Sequence, residues 1–295
     1  MATTYNDLYL NLRQRLRQSG VEAAMLEARE LVCYAASKTR EELARDARLY
    51  VPQSVEQRLD ELVRRRLAGE PVAYLTGEWE FYGLPLDVDQ RVLIPRTDTE
   101  LLAQEAIAYL KTLKAPRLLD LCAGSGCVGL AVATHVRDCH VVLAELDEGA
   151  LRICRQNVRR CGLTGRATPY QADVRQKPAM QLGEFACIVC NPPYIPDGDI
   201  AGLDPSVRDY EPHLALCGGA DGLDFYRAVC EKWRDCLCTG GRLYFEVGIG
   251  QADEVLRLMR RSGFGDLEIV PDTAGISRVV YGTRVEEKSA FPDRI

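Results

Sequence analysis

Apolar residues in the first quarter of the chain recur at helical spacing. Leu8, Leu12 and Leu16 form one set; Leu26, Val32 and Leu43 a second; Leu59, Leu62, Val63 and Leu67 a third. A small all-α domain is predicted over residues 1–75. The pattern changes over 76–95, where Trp79, Phe81, Tyr82, Leu84, Val88, Val92, Leu93 and Ile94 cluster around Gly83 and Pro85. That mixture predicts a β-ribbon linker. Thr97 and Glu100 have the spacing of a capping box, which would open a helix over 101–110.

From residue 117 onward, short apolar runs alternate with amphipathic stretches. Strands are predicted at 117–121, 140–145, 168–171, 185–190, 242–247, 266–271 and 278–283, and helices at 127–137, 148–161, 223–238 and 251–262. Strand–helix alternation requires a parallel sheet covered on both faces. No helix separates the last two strands, so they should form an antiparallel hairpin at one edge. The expected fold class is α/β, a seven-stranded mostly parallel sheet over 96–295 preceded by the helical domain.

Composition and charge narrow the possibilities. The net charge of -6 disfavours a protein that grips long nucleic acid by its phosphates. No signal peptide is visible at the start, and no apolar run approaches the ~20 residues of a membrane span. The 12 cysteines lie in apolar segments, as free cysteines do in a reducing cytoplasm. The one C-x-x-C, Cys187 and Cys190, lies within a strand and faces opposite ways, and the three histidines have no ligand spacing; no metal site is expected. Arg64-Arg65-Arg66 reads as a solvated helix end, with a docking patch as the alternative.

Candidate chemistry sits at strand ends. Asp120-Leu121-Cys122-Ala123-Gly124-Ser125-Gly126 runs from a strand into a glycine turn and a helix. The turn lacks the full G-x-G-x-x-G spacing, and Asp120 would repel a pyrophosphate but suit a cationic ligand. Glu145 closes the next strand, where a carboxylate accepts from both ribose hydroxyls. Asp173 follows the third strand and could accept from an adenine amine, while the neighbouring Val174 N–H serves a ring nitrogen. Together these favour adenosine without phosphates but with positive charge, as in S-adenosylmethionine.

Asn191-Pro192-Pro193-Tyr194 follows the apolar run 185–190. Two prolines remove two backbone donors, so the loop presents carbonyl oxygens beside an amide and a flat ring. Such a loop suits a planar NH₂ group on an sp² carbon, either a carboxamide or the exocyclic amine of a base. A methyl sulfonium would face that nitrogen if the two strands pair.

At this point the chain resembles class I S-adenosylmethionine methyltransferases, and more narrowly the peptide chain release factor glutamine methyltransferase family. The resemblance runs through Pro71–Gly77, Ile94–Glu100, Leu119–Gly126, Asp173, Asn191–Ile195, Tyr210–Pro212, Gly219–Leu223 and Glu246–Gly248 with Gln251. Cys122 stands where that family usually has glycine, and Thr97 where proline is more common. The resemblance implies a Rossmann-like cytoplasmic enzyme that methylates the glutamine of a Gly-Gly-Gln motif in a release factor. Asn191 Oδ1 and the Pro192 carbonyl would accept the two substrate N–H groups, with Tyr194 against the amide plane and Pro193 in the same subsite. By position, Arg96 and the helical domain are expected to touch the protein substrate. Three alternatives remain: an amino-methyltransferase for adenine or guanine, a glutamine methyltransferase for a ribosomal protein, and a non-catalytic cofactor-binding scaffold.

Overall fold

Five helices account for the helical spacing at the start of the chain: α1 (Tyr5–Gln18), α2 (Ala24–Ala36), α3 (Arg40–Arg45), α4 (Gln53–Leu67) and α5 (Val72–Thr76). The structure, a computed structural model, describes residues 3–178 and 182–286. Thr4 with Asp7 and Thr39 with Glu42 form capping boxes at the starts of α1 and α3. Leu12, Leu16, Ala28, Leu31, Val32, Leu59, Leu62 and Val63 make a shared core. Leu26 and Leu67 of the predicted stripe are exposed instead. The basic run at the end of α4 is held in ion pairs, Arg64 with Glu61, Arg65 with Glu70 and Arg66 with Glu27, each at 2.6 Å. This unit comprises Met1–Glu78 together with Asp204–Tyr210. Within it the Tyr210 hydroxyl donates to the Ala68 carbonyl at 3.0 Å.

The second unit, Trp79–Leu203 with Glu211–Ile295, takes in nearly all of a two-stranded ribbon, β1 (Glu78–Phe81) and β2 (Leu84–Asp87). Tyr82 (φ 51°) and Gly83 (φ 77°) turn the ribbon with two positive φ values, the type I′ geometry. Residues 88–98 form a loop that enters α6 (Thr99–Leu110). The predicted capping box is absent. Asp98 occupies the cap position with helical dihedrals and no side-chain cap bond, so the Thr97 hydroxyl is not presented to the first turn. Glu100 Oε1 instead accepts from the Tyr82 N–H at 2.8 Å, which ties α6 to the ribbon turn.

The alternating segment gives β3 (Arg117–Leu121), α7 (Cys127–His135), β4 (His140–Glu145), α8 (Glu148–Arg160), β5 (Ala167–Gln171) and β6 (Phe185–Cys190). A helical turn, α9 (Pro205–Arg208), lies in the segment assigned to the first unit. Then follow α10 (Asp224–Lys232), β7 (Leu237–Glu246), α11 (Ala252–Arg261), β8 (Phe264–Pro271) and β9 (Ser277–Arg284). The helix predicted over 223–238 stops early. Trp233 is fully buried and its Nε1–H donates to the Val174 carbonyl at 2.8 Å, so the chain leaves the helix there and β7 starts at Leu237.

The seven strands run in the order β5-β4-β3-β6-β7-β9-β8. All pairs up to β6–β7 are parallel, and β9 is antiparallel to both β7 and β8. Alternate residues feed opposite faces. Leu118, Val141, Leu143, Cys187 and Val189 join the core beneath α6, α7 and α8. Leu119, Leu121, Ile188, Cys190 and Phe245 join the core with α10 and α11. Cys187 and Cys190 therefore lie in different cores, where burial pushes both thiols well above the usual range. No helix among the described residues is long and apolar enough to cross a membrane.

Candidate active site

β3 pairs with β4 on one side and with β6 on the other, so the strand order reverses at the β3/β6 boundary. Ligands of open α/β sheets bind at the carboxyl ends of the strands beside such a switch point. Leu121 is in register with Cys190, so Cys122 and Asn191 leave neighbouring strands side by side. A cavity of about 390 Å³ opens there, within the usual range for a small-molecule site. Its walls include Asp120, Cys122, Ala123, Gly124, Ser125, Glu145, Asp173, Val174, Asn191, Pro193 and Arg96. Gly126, Pro192 and Tyr194, also expected in the site, are not in that lining.

Asp120 is 3% exposed and its Oδ2 accepts the Gly129 N–H at 2.8 Å. Burial pushes its carboxyl up to about 7; the Gly129 amide pulls the other way, and the Glu145 charge adds to the rise. The close approach of α7 to the sheet depends on Gly129, where a Cβ would come within 2.3 Å of Leu143 Cδ2. Glu145 accepts from Gly124 N–H at 2.8 Å and Asp147 N–H at 2.9 Å. Burial raises its pKa against those amide bonds. Neither carboxylate has an ion-pair partner among the described residues. A buried acid and a half-buried one, neither matched by a cation, form an acceptor set for a cationic ligand with hydroxyl groups, and S-adenosylmethionine fits that description.

Cys122 adopts φ 59°, a left-handed conformation that costs a residue with a Cβ about 1–2 kcal/mol. Asp173 is engaged by its neighbour: Oδ1 accepts from the Arg175 backbone at 2.9 Å and from Arg175 Nε at 3.0 Å. A carboxylate retains lone pairs beyond these. Val174 is held by Trp233, and Phe225 adds an aromatic wall. Asn157, fully buried on α8, donates to the Ser125 carbonyl at 3.0 Å and to the Asp87 carbonyl at 3.0 Å, which fastens the glycine turn to the ribbon. The sequence reading missed Phe225 and Asn157. A polar residue inside the apolar stripe of α8 was the available signal for Asn157.

On the acceptor side, Asn191 Nδ2 donates to Thr99 Oγ1 at 3.2 Å, which leaves Oδ1 for a ligand. Thr99 and Glu246 are both buried. Burial raises the Glu246 carboxyl to about 7, against hydrogen bonding from Thr99 and Asn191. Tyr194 packs into the core on the α10 side. Its carbonyl accepts from Gln251 Nε2 at 2.9 Å, and a Cβ on Gly222 would come within 2.3 Å of that same oxygen. The Gly219–Leu223 and Glu246–Gln251 segments thus brace the tetrapeptide from behind. Arg96 pairs with the buried Glu211, whose other oxygen accepts from Ile94 N–H at 3.1 Å. Its charge is already matched within the protein. Among the described residues no group of three His, Cys, Asp or Glu could hold a metal.

A switch-point cavity lined by paired acids, beside an acceptor-rich loop on this seven-stranded order, defines a methyltransferase of the Rossmann-like class. Residues 7–77 match the model described as PrmC N-terminal domain, and 98–202 match the Methyltransferase small domain. A release factor glutamine methyltransferase from Geobacter sulfurreducens is 40% identical over 92% of this chain and 93% of its own length. One from Clostridium acetobutylicum is 32% identical over 91% and 94%. The crystal structure of a methyltransferase from Pyrococcus furiosus shares the fold, with a TM-score of 0.50 and 16% identity over 76% of this chain and 98% of that one. The chain belongs to the release factor glutamine methyltransferase family.

Proposed function

We propose that this chain transfers a methyl group from S-adenosylmethionine to the side-chain amide nitrogen of the glutamine in a release factor's Gly-Gly-Gln motif, leaving S-adenosylhomocysteine and releasing one amide proton to solvent after transfer. The observation that carries the reading is Asn191: its NH₂ donates to Thr99, and the residue lines the same cavity as Asp120 and Glu145, where its oxygen would be the group left to accept. The names of the relatives support the substrate, a cytoplasmic location accords with it, and no stable nucleic-acid partner is required.

When bound, S-adenosylmethionine supplies a methyl group activated by its sulfonium. Glu145 would hold the ribose hydroxyls, Asp120 the positive end, and Asp173 with the Val174 N–H the adenine edge. Ala123, Gly124, Ser125 and Gly126 shape the turn that admits it. An amide nitrogen is a poor nucleophile because its lone pair is delocalised into the carbonyl. Asn191 Oδ1 and the Pro192 carbonyl would accept its two N–H bonds, orient the lone pair toward the methyl carbon, and favour positive charge growing on nitrogen. Pro193 and Tyr194 would stiffen that loop, and Arg96, which lines the same cavity, would contact the protein substrate. In this reading positioning supplies most of the catalysis.

The test is incubation with methyl-labelled S-adenosylmethionine and three acceptors: a release factor, its Gly-Gly-Ala variant, and mixed DNA and RNA. Label on the intact factor alone is the expected result. Label only on nucleic acid overturns the substrate, and label nowhere overturns the activity.

A further inference from the structure

Glu246 closes β7 beside the residue on which the proposed chemistry depends. The β6–β7 register pairs Cys190 with Phe245, so Asn191 and Glu246 leave adjacent strands together. Glu246 is 4% exposed, and its Oε2 is buried with no hydrogen-bond partner among the described residues. A carboxylate in such a place is costly unless something requires it. The groups facing it are Asp98 and Thr99 at the start of α6, Cys127 on α7, Asn191 and Tyr194 after β6, Tyr226 on α10 and Arg278 on β9. Arg278 is engaged by Asp98 at 2.9 Å and Asp272 at 3.1 Å. The Tyr226 hydroxyl donates to the Glu246 backbone carbonyl at 3.0 Å. Thr99 and Asn191 are the neutral neighbours that hold the carboxyl down against burial, and each carries a donor suited to it.

A carboxylate can only accept, which fixes the direction of every bond leading to it. When the Thr99 hydroxyl donates to Glu246, its oxygen must accept, and Asn191 Nδ2 supplies that bond at 3.2 Å. The Asn191 NH₂ is then turned toward the protein. We propose that Glu246 is a positioning residue which, through Thr99, locks the Asn191 amide with Oδ1 toward the substrate nitrogen. This rests on the reading of Asn191 as the holder of the acceptor amide. A neutral Glu246 could donate instead. Thr99 would then donate onward to Asn191, whose oxygen would turn inward and whose NH₂ would meet the substrate NH₂, donor against donor. Because burial raises the carboxyl to about 7, that reversal falls within reach of ordinary buffers.

The experiment measures steady-state methylation of release factor and calorimetric cofactor affinity for Asn191→Ala, Glu246→Gln, Thr99→Val and Thr99→Ser. Misorienting the acceptor should lower kcat about 100-fold in Glu246→Gln and Thr99→Val. Cofactor affinity should be unchanged, and Thr99→Ser should restore most of the rate. The wild-type kcat should fall on acidification through pH 7, and that acidic limb should vanish in Glu246→Gln. Wild-type kinetics in Glu246→Gln and Thr99→Val, with Asn191→Ala inactive, would overturn the positioning role and leave the amide-holder reading standing. An active Asn191→Ala would overturn both. If Glu246→Gln fails to bind cofactor because it misfolds, the contrast between Thr99→Val and Thr99→Ser decides.

Discussion

Asn191 and Thr99 are joined by a 3.2 Å hydrogen bond that fastens the loop after β6 to the first turn of α6. The bond commits the Asn191 donor and leaves its acceptor. Replacing Asn191 by Asp should therefore fail even though a carboxylate accepts well. It would set a second negative charge beside buried Glu246 and lose the bond to Thr99. A kcat loss of about 10²–10³ is expected, by comparison with removal of one preorganised polar group elsewhere. Methyl transfer at saturating cofactor measures it, and a rate within a few-fold of wild type would reject the assignment.

Cofactor binding should depend on Asp120 ionisation. Burial raises that carboxyl to about 7, so the fraction carrying charge grows between pH 6 and 8. A cationic ligand should bind more tightly as pH rises through that window. Calorimetric titration of S-adenosylmethionine should show this slope in the wild type and a flat, weaker response in Asp120→Asn. A slope of the same size in the variant would show that another group governs it.

Glu246 should oppose stability while serving activity. Its carboxyl lies at about 7 in the folded chain against a reference of 4.5. Between those values the folded state holds a proton that the unfolded chain has released, so stability falls as pH rises through the window. The full difference, present above pH 7, is roughly 3 kcal/mol. Glu246→Gln should melt higher than wild type at pH 8 and about equally at pH 4.5. A lower melting temperature at pH 8 would mean that the charge is compensated.

Cys122 carries a Cβ at φ 59°. Cys122→Gly removes the left-handed penalty but loosens the unfolded chain, for a net gain of roughly 0.5–1 kcal/mol. Thermal denaturation should show a small rise in Tm with cofactor affinity retained. A fall would indicate that the thiol's packing outweighs the backbone strain.

Gly129→Ala should have the opposite effect. Its Cβ would meet Leu143 Cδ2 at 2.3 Å and Asp120 Oδ2 at 2.9 Å. Overpacking of this kind costs about 1–3 kcal/mol, and it would also displace the N–H that Asp120 accepts. Lower Tm and weaker cofactor binding should appear together; a variant with wild-type values of both would contradict the described α7–sheet contact.

The sheet was legible because most of its strands are short apolar runs, and five of the seven predicted strands match within one residue at both ends. Boundaries failed where a tertiary bond decides them. Trp233 ends α10 by reaching Val174, and Glu100 abandons a local cap for the Tyr82 amide. Neither partner is near in sequence. The acids at the ends of β3 and β4 were readable from position alone. Thr99, Glu246 and Gln251 drew no functional role from the sequence, because what matters about them is which distant atom each one faces.

The sheet order has a kinetic consequence. Cys122 and Asn191 follow strands that are bonded to each other, so the separation of the two loops is fixed by interstrand spacing, about 4.8 Å. The configurational entropy of bringing a donor loop to an acceptor loop is lost during folding and does not recur at each turnover. What each catalytic cycle must still order is the incoming side chain and a fresh molecule of S-adenosylmethionine.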